Sequence, residues 1–328
     1  MGRAVLPASL LLLAVSSYFL IPEAGATSIS DIEILEGRIF TIEGLLTFRY
    51  TNSNSVRDLR LLLPIWAHNF WCDIEVLPPE AEVKYVRLEN LSGRWAYISS
   101  LRDHVDAVAV VEFSLDLKPY EEFELEVSFD VNALRMDLSP ITEAGVGNLS
   151  DIEVDERYLA ETYYWDYSSP IVQGVISEVK ALAGNSSNVY ELALAALTWL
   201  SENVAYRERP GYLWTRLRAS EILNSTVETP EGPRYYGASL HYADLFITIM
   251  RGLGVPCNLF YGLLFQEKEE LGLICLGEHY WCEIFLPGVG WIPVETTVRG
   301  YHEVLALRLG LRSDVFYVPI YKEYFNFR

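Results

Sequence analysis

The sequence predicts an α+β protein: an N-terminal antiparallel β-sandwich followed by a domain that mixes helices with strands. Three observations carry this. Residues 122–130 alternate polar and apolar without a break (Glu122, Phe123, Glu124, Leu125, Glu126, Val127), the mark of a strand with one wet face. After Pro170 the period changes. Val189, Leu192, Ala196, Leu200 and Val204 fall on one helical face behind Asn188, an N-cap residue with Glu191 three positions on. Beyond Gly254 and Pro256 the chain returns to strands divided by Gly and Pro turns.

The chain of 328 residues is long enough for two domains. Its first charge, Arg3, precedes an apolar run over 4–21, and Ala24-Gly25-Ala26 follows as a cleavage signal. Residues 1–26 are therefore expected to be a secretory leader, with an uncleaved membrane anchor as the rival reading. The sandwich is placed at 27–135, with strands over 38–50, 81–89, 105–117 and 122–130. Asn52-Ser53-Asn54-Ser55, Pro78-Pro79 and Lys118-Pro119 are the turns between them. Residues 136–169 connect to the second domain at 170–328.

Hydrophobic residues make up 51% and charged residues 21%, a globular composition. The net charge of −20 excludes nucleic acid and an anionic membrane surface as partners, because both require a basic face. Four Asn-x-Ser/Thr acceptors (Asn90, Asn148, Asn185, Asn224) fit a secreted or cell-surface protein.

In the second domain a helix begins near Ser239, with Leu240, Ala243, Ile247 and Met250 on one face; Gly254 and Pro256 end it. Strands over 257–265 and 274–286 flank the polar turn 266–272. The later of them carries His279. The next strand, opened by Gly290 and Trp291, ends in Glu295. A hydroxyl at a helix start, a His on one strand and a carboxylate on the next stand in the order nucleophile, base and orienter.

These residues resemble the transglutaminase-like superfamily. The resemblance rests on Gly237-Ala238-Ser239-Leu240-His241-Tyr242-Ala243, Arg251-Gly252-Leu253-Gly254-Val255-Pro256, His279-Tyr280-Trp281-Cys282-Glu283 and Gly290-Trp291-Ile292-Pro293-Val294-Glu295-Thr296-Thr297. It implies a papain-like fold over about 170–320, a β-sandwich upstream, and catalytic positions at Ser239, His279 and Glu295. Two of these depart from the pattern: Ser239 stands for the nucleophilic Cys, and Glu295 for an Asp. The resemblance also makes Trp214 an oxyanion candidate, with Trp281 a second residue of the cleft. A Cys beside a His and a helix dipole can rest as thiolate, whereas a Ser must lose its proton during attack to an aligned base. Three readings follow: a cleft that binds a peptide or protein segment without efficient Cys-type catalysis, a Ser-dependent amide hydrolase or acyltransferase, and a structural surface component in which Ser239 merely caps a helix.

The remaining cysteines and histidines offer no second centre. If Phe265 pairs with Ile274, Cys257 faces Cys282, and in a secreted chain that pair would form a disulfide. Cys275-x₃-His279-x₂-Cys282 has a zinc-like spacing, but strand alternation turns Cys282 away from His279, so neither a metal nor a cofactor is expected. His241, two residues after Ser239, faces another direction on the helix. His68, near Cys72 and Asp73, belongs to an aromatic cluster with Trp66, Phe70 and Trp71, and His104 and His302 are surface residues.

Overall fold

The computed structural model describes residues 9–20, 33–49, 53–65, 72–73, 85–89, 95–98, 109–120, 122–138, 141–154, 156–206, 216–269, 271–297 and 315–323. Trp214, His68, His104, His302, Asn90 and the Pro78-Pro79 turn lie outside these. The chain forms two compact units, the first built around 36–134 and the second around 135–316.

The first unit contains only strands among its described residues. One sheet runs Ser9–Leu20, Glu33–Arg49, Glu122–Asp137 and Cys72–Asp73, with Tyr85–Glu89 also on Glu122–Asp137. The other runs Val56–Ile65, Ala109–Leu117 and Trp95–Ile98, antiparallel throughout. Ser9–Leu20, the apolar core of the expected leader, pairs antiparallel with the second strand from Ser9 opposite Thr47 to Leu20 opposite Gly37. Among the described residues no helix is long and apolar enough to cross a membrane.

In the second unit, α1 (Pro170–Leu182) carries Pro at its first turn, where the missing N–H is no loss. α2 (Val189–Asn203) starts at Asn188, whose Oδ1 accepts from the Tyr190 and Glu191 amides. The Asn188 amide group in turn donates to the Val146 carbonyl at 2.8 Å, tying the helix start to the segment before it. β1 (Val204–Tyr206) follows, then α3 (Ala219–Ile222), and the hairpin of β2 (Thr226–Thr229) and β3 (Gly232–Gly237), with β3 parallel to β1.

α4 (Ser239–Gly252) is the central element, buried at every position from His241 to Arg251. A helix sequestered on all sides must be apolar all round or satisfy each polar side chain internally. It ends in a Schellman motif. The Gly254 amide bonds the Arg251 carbonyl and the Val255 amide the Met250 carbonyl, while Gly254 takes φ 90°, a region open to glycine. β4 (Cys257–Lys268), β5 (Gly272–Leu286) and β6 (Gly290–Val294) then run as antiparallel neighbours.

The hairpin register differs from the sequence expectation. Lys268 pairs with Gly272 across a three-residue turn, and a bulge between Leu264 and Phe265 shifts the ladder again. Phe265 therefore faces Cys275, not Ile274, and Cys257 faces Ile284.

Asn188→Ala removes two helix-start hydrogen bonds and the tie to Val146. It is expected to lower stability by about 1–2 kcal/mol, read as a reduced urea midpoint at unchanged slope.

Candidate functional site

β5 supplies His279 and the residue after β6 supplies Glu295. The last ladder pair is Cys282 with Val294, so one step on Glu295 is level with Trp281 and His279 is its diagonal neighbour. A long side chain is suited to that diagonal, and Nε2 of His279 lies 2.7 Å from Glu295 Oε2. The other carboxylate oxygen accepts the Thr297 amide at 2.7 Å, which fixes the Glu295 rotamer. With Nε2–H donating to the carboxylate, the basic lone pair of a neutral His279 ring is on Nδ1.

Ser239 is the first residue of α4 and only 8% exposed. The N-cap is Ala238, so the reading of Ser239 as the capping residue is replaced. The Ala238 amide donates to His241 Nδ1 at 3.2 Å, and the His241 amide to the Ala238 carbonyl at 2.9 Å. Among the described residues the Ser239 and Leu240 amides are the first-turn donors without a hydrogen bond, as an oxyanion site requires. Among the described residues no hydrogen bond joins the Ser239 hydroxyl to His279.

Cys282 marks where α4 and the His–Glu pair converge. Its thiol lies 3.6 Å from the Ala243 carbonyl of α4. Burial pushes it well up, and Cys257, Asp244 and Glu295 act in the same direction. It is therefore a neutral thiol and not a resting thiolate. The expected Cys257–Cys282 disulfide is corrected: both are free. They are diagonal neighbours across the β4–β5 ladder, farther apart than the directly opposed pair the expectation required. Cys275 is exposed on the hairpin, remote in environment from the buried His279 and Cys282. Trp281 is fully buried and stacks on Phe260 at 5.6 Å, so it packs the sheet and presents no open wall.

Sequence reasoning missed the polar groups that hold α4. Asp244, wholly buried, accepts the Trp165 indole N–H at 2.7 Å and two bonds from Arg216, at 2.8 and 2.5 Å. Arg251 donates to the carbonyls of Cys257 and Ala160 and to Asn258, while its guanidinium lies 4.3 Å over Trp165. Asn258 passes the chain on to Glu283 at 3.0 Å. The available signal was composition: His241, Asp244, Thr248 and Arg251 interrupt an otherwise apolar helix, and a polar residue in that setting needs a partner.

Asp244→Asn removes the buried carboxylate that receives both Arg216 and the Trp165 indole and is expected to cost about 3 kcal/mol, measured by chemical denaturation. The raised Cys282 thiol sets a pH dependence. Above the ordinary thiol pKa of about 8.5 the unfolded chain loses a proton that the folded chain keeps, so stability present below that pH is lost as pH rises. Melting temperature should fall from about pH 8.5 upward, and Cys282→Ala should flatten that slope. Tyr242 and Tyr261, also raised by burial, steepen the fall only above about pH 10.

Comparison with known proteins places this geometry. The model of the transglutaminase-like superfamily matches residues 178–296. No curated protein matches the chain. Among solved structures, a candidate cysteine protease from Cytophaga hutchinsonii is similar at TM-score 0.54 and 16% identity, over 89% of this chain and 84% of that one. The periplasmic domain of TgpA from Pseudomonas aeruginosa aligns at TM-score 0.33 and 11% identity, over 78% and 72% of the two chains. Red sea bream transglutaminase aligns at TM-score 0.35 and 13% identity, over 83% and 50%. Residues 178–296, from the end of α1 to the Glu295 turn, are thus a transglutaminase-like domain.

Proposed function

We propose that the cleft between the start of α4 and the His279–Glu295 pair binds a peptide or protein segment and does not turn it over by thiol chemistry. The observation that carries this is the nucleophile position. It holds Ser239, whose hydroxyl makes no hydrogen bond to His279 among the described residues, and the neighbouring thiol of Cys282 is buried and protonated. A hydroxyl needs its base aligned during attack, and a displacement of 1 Å costs about 100-fold in rate. The start of α4 still offers the Ser239 and Leu240 amides to a ligand carbonyl.

One observation favours a second reading, amide hydrolysis or acyl transfer by Ser239. The His279–Glu295 pair is closed at 2.7 Å, so the extra methylene of Glu still orients the ring. In that mechanism His279 Nδ1 takes the Ser239 proton as the oxygen attacks the amide carbonyl, and the Ser239 and Leu240 amides receive the oxyanion; the imidazolium then gives that proton to the leaving amine as the C–N bond breaks, and water or a second amine resolves the acyl ester. Contacts of this kind tighten when substrate binds.

The proposal extends to the rest of the chain. The two antiparallel sheets of the first unit form a β-sandwich. The protein acts outside the cytoplasm behind its 1–26 leader, glycosylated at its Asn-x-Ser/Thr acceptors, with a peptide or protein and no nucleic acid as its partner.

A serine-reactive fluorophosphonate and a displayed peptide library separate the two readings. Binding without turnover predicts no labelling of Ser239 and enrichment of peptides that Ser239→Trp no longer retains. Labelling that disappears in His279→Ala overturns it in favour of the serine enzyme. Ser239→Cys restores the thiol, and thiol-dependent hydrolysis by that variant is the outcome expected of an otherwise intact site.

A further inference from the structure

We propose that His241 is a positioning residue for the nucleophile position: it locks the entry into α4 and keeps that entry uncharged. The inference rests on the reading of the α4 N-terminus as the working end of the cleft. The N-cap residue, Ala238, has no side-chain oxygen with which to hold a first-turn amide. His241, at the third helical position and 6% exposed, reaches back and accepts the Ala238 amide on Nδ1 at 3.2 Å. Its own amide donates to the Ala238 carbonyl at 2.9 Å. The turn is closed in both directions: the imidazole supplies the N3 side-chain half of a capping box in place of a carboxylate, and the Ala238 carbonyl takes the other donor.

Gly237 belongs to the same device. A Cβ there would lie 2.4 Å from His241 Cβ and 2.9 Å from Cγ, so the ring packs where a side chain at 237 would be. The next residue fixes the turn from the other side, since the Tyr242 hydroxyl donates to the Val204 carbonyl of β1 at 2.6 Å. One consequence is a division of donors: the Ala238 amide is occupied, and those of Ser239 and Leu240 are left for a ligand. Another is electrostatic. Glu at this position would cap equally well but would set a negative charge beside the one place where negative charge must be accepted. A neutral imidazole supplies the lone pair without that charge.

The test uses the full chain carrying Ser239→Cys. The introduced thiol is titrated by its rate of alkylation with iodoacetamide against pH, which needs neither peptide binding nor turnover. A peptide-binding failure and a failure of this proposal are therefore distinguishable. His241→Gln, which keeps a neutral acceptor, should hold the profile within about twofold. His241→Glu should keep or raise the melting temperature yet move the titration midpoint upward. His241→Leu should slow alkylation at neutral pH about fivefold, the equivalent of one lost cap. Identical profiles for the parent and the Gln and Glu variants overturn the proposal, and this pair decides it even if the Leu variant does not fold. In the unaltered protein, long-range ¹H–¹⁵N correlations should show Nδ1 as the bare ring nitrogen of His241; a proton on Nδ1 also overturns it.

Discussion

The second unit depends on a buried cation at the end of α4. Arg251 is 2% exposed near the end of α4, in a place where an unpaired guanidinium would cost several kcal/mol. Its donors go to two backbone carbonyls, Cys257 on β4 and Ala160 before α1, and to the Asn258 side chain. Its face lies over Trp165. The backbone on both sides of the helix is thereby fixed relative to it. Asn258 relays the contact to Glu283 on β5, the strand that carries His279. At the other end of the Trp165 ring, the indole N–H and Arg216 share the Asp244 carboxylate. The path from Arg216 to Glu283 joins α4 to the strands around the site, and breaking any link removes a hydrogen bond from a buried polar group.

Much of this was legible in the sequence, and the limits were physical. The helix ends could be read because caps are local chemistry: Asn188 starts α2 through its own side chain, and Gly254 ends α4 through its own φ. The proximity of His279 to Glu295 followed from two strands separated by one tight turn. The hairpin register could not be read, because a bulge adds a residue without any signal in the hydrophobic pattern, and the Cys257–Cys282 pairing failed with it. Asp244 and Arg216, 28 positions apart, meet only through the fold. The role of His241 was missed because helical projection gives the direction of Cβ, whereas the ring turns back to the amide of Ala238, three residues earlier.

The two departures from the family pattern have different weights. Glu295 is longer than Asp, but its position diagonal to His279 uses that length, and the Thr297 amide fixes the second oxygen. The carboxylate thus retains a defined place. Ser239 makes no hydrogen bond to His279 among the described residues. A hydroxyl, unlike a thiol, does not rest as an anion beside a helix dipole, so it needs its base aligned during attack.

The form of α4 is set by contacts that do not involve the side chain of residue 239. The polar residues of α4 that hold the architecture are His241, Asp244, Thr248 and Arg251, each bonded to groups outside the reacting position. His241 closes the first turn, Thr248 donates to the Asp244 carbonyl at 2.6 Å, and the two charged residues anchor the helix along its length. None of these contacts runs through residue 239. The amides of Ser239 and Leu240 belong to the backbone, so the helix offers them whatever side chain position 239 carries.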